Sequence, residues 1–251
     1  MDSLKEEKNL EESLYERALK VLPGGISRNV IFRQPHPHYV ASAHGCYVED
    51  VNGITRIDFV NNIASLVHGH AHPAIVKAVY EQLQKGTAYS MGTEAEIRHA
   101  ETLCHRVPGF EKIRFMNSGT EAVMSLIKAS RAYTGKHKIA KAEGAYHGSY
   151  DFAEVSESAS PDNWGPVEQP NSVPHVRNTP PSVLDEVIVF PYNDVERTLA
   201  ILDRHADEIA CVLIDPVPHR IGMIRATDEF VEAVYDWTRK HNALMAFDEV
   251  V

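Results

Sequence analysis

Cysteine is scarce in this chain, and what there is does not cluster. Cys46, Cys104 and Cys211 are an odd number, stand far apart and include no C-x-x-C pair, which excludes a disulfide framework and a zinc-finger type of metal site. Long apolar runs are missing too. No stretch approaches the ~20 residues that span a bilayer, and the opening MDSLKEEKNLEE lacks the basic-then-apolar texture of an export signal. A basic excess is also lacking: 25 Lys and Arg stand against 35 Asp and Glu, for a formal net charge of -10, which leaves no electrostatic footprint for nucleic acid. The expectation is a soluble, cytoplasmic protein in a reducing setting.

What is present suits one large folded domain with a small appendage. Of the 251 residues, 43% are hydrophobic and 24% charged, enough to bury a sizeable core. Leu10, Leu14, Ala18, Val21 and Leu22 recur at helical spacing until Pro23, Gly24 and Gly25 stop them. Tyr47-Val48-Glu49-Asp50 and Ile54-Thr55-Arg56-Ile57 flank Asn52-Gly53, a strong hairpin signal. Pro73 marks a helix start, Gly86 its end, and Thr93-x-x-Glu96 has the spacing of a capping box.

From Lys112 onward the texture alternates. Strands are predicted over 112–116, 137–142, 187–190, 209–214 and 243–248, and helices over 119–133, 195–206 and 228–240. Short apolar strands separated by amphipathic helices mean βαβ units and a mostly parallel sheet, an α/β fold. Residues 154–186 are too rich in Pro, Ser and Asn for a regular element, and so long a loop in a compact domain is usually functional. No internal repeat is visible.

In a parallel α/β sheet, ligands bind at the carboxyl ends of the strands. There the chain delivers Asn117-Ser118-Gly119-Thr120, then Tyr146-His147-Gly148, Asp215-Pro216, and Asp248-Glu249. Ser118-Gly119-Thr120 at a helix start can cradle a phosphate, or Ser118 can simply cap the helix with Glu121 completing a capping box. Asp248 follows the apolar run Leu244-Met245-Ala246-Phe247 and needs a positive partner there, either a ligand cation or an arginine. Tyr146-His147 can lie under a flat ring or be a packed aromatic beside a satisfied histidine. A phosphate, a flat ring and a ring cation together describe pyridoxal 5'-phosphate. His68, His70 and His72 have H-x-H spacing and raise the alternative of a metal hydrolase; Pro73 and the want of a spaced acidic ligand speak against it, so no metal is expected.

The ordered motifs PGGISR, DVNGITRIDF, HGHAHPAIVKAV, RFMNSGTEAVMSLIKASRAYTGKHKIAKAEGAYHGSYD, FPYND, DPVPHRIG and AFDEVV resemble those of the class III pyridoxal-phosphate aminotransferases, most closely the glutamate-1-semialdehyde aminomutase and β-amino-acid transaminase branch. The resemblance implies the type I fold of pyridoxal-phosphate transferases, with residues 1–60 in a small domain and 61–251 in a cofactor-binding domain. It implies an aminotransferase or aminomutase acting on carboxylate-bearing small molecules, working as a homodimer. It also implies that Ser118, Gly119 and Thr120 bind the phosphate, Tyr146 stacks on the ring with His147 beside it, Asp248 holds the ring nitrogen, Val250 packs on the other ring face and Arg28 binds a substrate carboxylate.

Asp215 is counted with the cofactor residues, although the family usually has Glu-Pro at Asp215-Pro216. Where the family has a small or amide residue, this chain has Arg220. The lysine that carries the cofactor in the family falls after Val251, so no catalytic residue is expected within 1–251. That leaves a non-catalytic or truncated relative as the alternative reading.

Overall fold

The computed structural model describes residues 9–28 and 31–251; the acidic opening residues 1–8 lie outside the described residues. The chain parts into two compact units, one up to Glu101 and one from Thr102 on. The expected division after residue 60 falls inside the first unit.

The first unit opens with helix α1 (Leu10–Leu19), capped by the Asn9 side chain, which accepts from the Glu11 N–H. Pro23–Gly25 then make a short 3-10 turn, as the PGG stop predicts. Strands β1 (Val40–His44), β2 (Tyr47–Asp50) and β3 (Thr55–Ile57) form an antiparallel sheet in that order. The β2–β3 hairpin pairs Tyr47 with Ile57 and Glu49 with Thr55. Asp50 ties its turn by accepting from the N–H groups of Asn52 and Ile54 at 2.9 Å each. A left-handed turn, α2 (Asn61–Ala64), follows, with positive φ at Asn61, Asn62, Ile63 and Ala64. Helix α3 (Pro73–Leu83) begins on its proline. Helix α4 (Glu94–Arg106) begins at Thr93, whose hydroxyl accepts from the Glu96 N–H at 3.2 Å.

The second unit holds helix α5 (Gly119–Thr134), strand β4 (Lys138–Ala142), the short helices α6 (Asp151–Glu154) and α7 (Pro181–Asp185), strand β5 (Val187–Phe190), helix α8 (Val195–Asp203), strand β6 (Ile209–Ile214), helix α9 (Asp228–Lys240) and strand β7 (Leu244–Phe247). The four strands run parallel in the order β5-β4-β6-β7. Alternate side chains go to opposite faces. Ala140, Phe190, Val212 and Ile214 join Leu202 of α8 and Phe230 and Val234 of α9 in one core layer. Ile139, Val187, Val189, Cys211 and Leu213 join Val123 and Ile127 of α5 in the other. Covered on both sides, β6 is buried at every position, which is why it reads as an unbroken apolar run rather than an alternation.

The strand predicted over 112–116 is absent: these residues form no strand, and the sheet order does not include them. KIRFM has strand-like composition, but a strand exists only where a neighbour supplies its ladder, and in this sheet the outer places belong to β5 and β7. Helix α8 stops at Asp203 rather than 206, where His205 and Glu208 continue as tight turns.

The sheet order creates the crevice. β5 lies on one side of β4, and the chain then crosses back to place β6 on the other side. Connections leaving the carboxyl ends of β4 and β6 therefore diverge, the place where open α/β sheets receive ligands.

Candidate functional site

Helix α5 presents its N-terminus near this edge. Ser118 is its cap, in extended conformation, and its Oγ accepts from the Glu121 N–H at 3.2 Å. The Glu121 carboxylate accepts in return from the Asn117 N–H at 2.7 Å. The capping role is thus realised, and it leaves the Ser118 hydroxyl proton free to be given elsewhere. Thr120 Oγ1 accepts from the Ser149 N–H at 3.1 Å. Gly148, at φ +91°, lies so close that an added Cβ would stand 2.6 Å from Thr120 Oγ1 and 2.8 Å from its Cα. Glycine is required there, and it draws the Tyr146-His147-Gly148 turn onto α5. At Gly119 the surroundings are open. A Cβ there would meet only Val250 Cγ2, at 4.0 Å, and Val250 itself is 79% exposed.

The strand ends supply the charged groups. β7 continues its ladder for one residue, the Asp248 N–H donating to the Ile214 carbonyl at 2.8 Å, and this aims the Asp248 side chain at the end of β4. Its Oδ2 lies 2.9 Å from His147 Nδ1. Burial raises the Asp248 pKa, but the His147 hydrogen bond and, more weakly, the Val250 N–H and His219 outweigh it, so the carboxyl sits below its usual range. His147 is wholly enclosed, and burial pulls its pKa down against the pull of Asp248. A neutral ring and an ionised carboxylate agree in only one arrangement, with Nδ1–H donating to Oδ2. The lowering at Asp248 is owed first to that hydrogen bond and next to the Coulomb attraction of His147. Asp248 stays an anion, 13% exposed at its side chain, and among the described residues no Lys or Arg is paired with it. Its Oδ1 receives only the Val250 N–H, at 3.3 Å.

Asp215, at the end of β6, behaves oppositely. Its Oδ1 accepts from the Val217 N–H at 3.0 Å, yet burial, with Asp248 adding to it, raises its pKa. Tyr146 is half-buried, edge-on to His219 with ring centroids 6.0 Å apart, and Arg220 Cζ lies 5.7 Å from its ring centre.

Ser118, Gly119, Thr120, Tyr146, His147, Asp215, Asp248 and Val250 all belong to the second unit. Arg28 belongs to the first, where its guanidinium donates to Asn62 Oδ1 at 2.7 Å. In the same unit, His70 bonds Asp58 at 2.8 Å and the rings of His68 and His72 stand 5.2 Å apart; among the described residues no group of His, Cys, Asp and Glu is arranged to hold a metal ion.

Sequence reasoning missed Lys141. It is fully buried in β4, and its Nζ donates to the carbonyls of Ala145 at 2.8 Å and Val155 at 2.7 Å. Burial lowers its pKa to about 7. The amino group straps the turn leading to Tyr146 and His147 to the start of the long loop. Position was the available signal: a lysine inside a strand whose two faces are both covered by helices must find acceptors.

The sequence profile described as Aminotransferase class-III matches residues 31–251. Over 245 residues the chain is 39% identical to the glutamate-1-semialdehyde 2,1-aminomutase of Methanothermobacter thermautotrophicus, covering 96% of this chain and 55% of that protein. Its structure is similar to an omega-transaminase from Sphaerobacter thermophilus, with a TM-score of 0.94 and 47% identity over 98% of this chain and 56% of the other. It is also similar to a transaminase solved with PLP bound, with a TM-score of 0.88 and 45% identity over 95% of this chain and 55% of the other. The chain spans about half the length of the curated relatives it matches.

Proposed function

The chain belongs to the class III aminotransferase family, and from that membership we propose that it is the pyridoxal-phosphate-binding portion of an aminotransferase or aminomutase, acting on small carboxylate-bearing amino or oxo compounds in a homodimer. The observation that carries the reading is Asp248, a mostly buried carboxylate that stays ionised beside a neutral histidine. His147 holds the anion through Oδ2, and Oδ1, met by the Val250 N–H at 3.3 Å, is left to accept from a protonated pyridine nitrogen.

The residues present fit the cofactor. The N-terminus of α5 offers its first-turn N–H groups and a positive dipole end, the open backbone at Gly119 admits an anion, and the hydroxyls of Ser118 and Thr120 keep their protons to donate. Tyr146 supplies a flat face, and Val250, beside Gly119, an apolar one. When bound, pyridoxal phosphate supplies an electron sink for the carbon bearing the amino group. Asp248 would keep the ring nitrogen protonated, and His147, by donating to Oδ2, holds the carboxylate in orientation and leaves Oδ1 for that proton. Asp215 is the less readily ionised of the two carboxylates, its pKa raised by burial and by Asp248. Arg28 is assigned to the substrate carboxylate by the resemblance of PGGISR.

Titrating the protein with pyridoxal phosphate, followed by absorbance and tyrosine fluorescence, tests this reading. Saturable binding is expected, weakened at least about tenfold for pyridoxal without its phosphate, the size of one or two lost charge-assisted hydrogen bonds. Equal affinity for the two compounds would remove the phosphate role of 118–120, and absence of saturable binding would end the proposal.

A further inference from the structure

The second unit contains an ion cluster around the buried Glu157 that the cofactor reading does not use. Glu157, on the long loop, is 3% exposed at its side chain, and its Oε1 receives Arg220 Nη1 at 3.2 Å and His175 Nδ1 at 3.3 Å. Arg220 donates from its other nitrogen, Nη2, to Ser158 Oγ at 3.3 Å. Arg220 stands in the short turn His219–Ile221 that follows Asp215-Pro216. That turn sits tightly on the approach to Tyr146: at Gly144, φ +75°, an added Cβ would come within 2.6 Å of Ile221 Cγ2. The guanidinium faces the Tyr146 ring at 5.7 Å while His219 meets it edge-on. Three segments distant in sequence therefore meet at the Arg220 guanidinium.

We propose that Arg220, anchored by Glu157 and Ser158, is a positioning residue that fixes the Tyr146 ring and clasps the 154–186 segment to the turn after β6. This rests on the cofactor reading for the role of Tyr146 and goes beyond it in assigning the cluster a task. A planar guanidinium suits the place, since it can hold a carboxylate and face an aromatic ring at once. Its side chain is 38% exposed, so substitution there removes the clasp without opening the core, whereas Glu157 is buried and loses a cation if Arg220 is removed. The segment has further anchors. Ser156 Oγ donates to the Asn171 carbonyl at 2.9 Å, and the Ser156 carbonyl accepts from the Gly144 N–H at 2.9 Å. Losing Arg220 should therefore free residues near Ser158 rather than unfold the loop.

The test compares the protein with Arg220→Gln, Arg220→Lys and Glu157→Gln in two measurements: limited proteolysis of 154–186 without ligand, and equilibrium affinity for pyridoxal phosphate and for inorganic phosphate. Arg220→Gln and Glu157→Gln should speed cleavage and weaken pyridoxal phosphate about threefold, the size of a lost, partly exposed cation–ring contact, while inorganic phosphate binds as before. Arg220→Lys should keep most of the protease resistance, because it can still pair with Glu157, and should lose ring affinity, because it lacks the planar face. Unchanged cleavage in Arg220→Gln overturns the clasp. Wild-type affinity for pyridoxal phosphate in Arg220→Lys, or an equal loss for both ligands in Arg220→Gln, overturns the positioning of Tyr146. If the unsubstituted protein binds no pyridoxal phosphate, the cofactor reading fails, and the cleavage rates still decide the clasp.

Discussion

The ends of β6 and β7 are neighbouring strand ends in one parallel sheet, each closing on an aspartate, and the two carboxylates titrate in opposite directions. Asp215 is offered a single backbone N–H and burial raises its pKa. Asp248 suffers the same burial, but His147 comes to it from the end of β4 and reverses the sign. Strand position alone does not make a charged site. The difference is made by a donor brought in by another strand, and that donor is held in place by Lys141 and by the close approach of Gly148 to Thr120.

The largest expected effect comes from removing the support beneath that donor. Lys141→Met keeps the aliphatic stem but leaves the buried carbonyls of Ala145 and Val155 without their donor, and unsatisfied groups of this kind cost about 3 kcal/mol together. Urea unfolding should show that loss. If the variant folds with wild-type stability, the strap is not what holds the turn.

Next in size is Asp248→Asn, which keeps the shape and removes the charge. Affinity for pyridoxal phosphate should fall on the order of tenfold or more, as for a lost hydrogen bond to a charged partner, while affinity for inorganic phosphate stays. A drop common to both ligands would mean that the substitution disturbs α5 rather than the ring site.

The contrast between the two carboxylates sharpens in their pH dependence. Asp248 has a depressed pKa in the fold, so its contribution is present above the ordinary carboxylate pKa and is lost as pH falls through the lower, folded value. Asp215 has a raised one. Its charged form is disfavoured in the fold, so a penalty stands above the raised value and disappears as pH falls through it to the unfolded one. Asp215→Asn should therefore be at least as stable as wild type at neutral pH, with its advantage shrinking in acid, whereas Asp248→Asn should lose stability most at neutral pH. Parallel curves for the two variants would dissolve the comparison.

The smallest effect is expected at the helix cap. Ser118→Ala removes the acceptor for the Glu121 N–H and should cost about 1 kcal/mol of stability, with only a modest loss of phosphate affinity because the N–H groups of the first turn remain. A thermal melt alongside a phosphate titration measures both.

Much of the second unit was legible in the sequence. Runs such as IACVLI and VIVF announce strands covered on both faces, and Ser118 caps its helix as its side chain allows. The non-local features were not legible. KIRFM looks like a strand and forms none, because composition cannot supply a neighbour. Lys141 looks like any lysine until the Ala145 and Val155 carbonyls, one from a turn and one from a loop, close on it. The motif order pointed to the crevice residues, but the sign of each charge there depends on contacts such as His147 to Asp248, which lie 101 positions apart.

The most direct measurement is nuclear magnetic resonance of pyridoxal phosphate labelled with heavy nitrogen in its ring, bound to the protein and to Asp248→Asn at mildly alkaline pH. The ring nitrogen should carry a proton when bound to the unsubstituted protein and lose it in the variant, with the cofactor bound in both. A ring nitrogen with the same protonation in the two proteins would contradict the assignment of Asp248 as its partner.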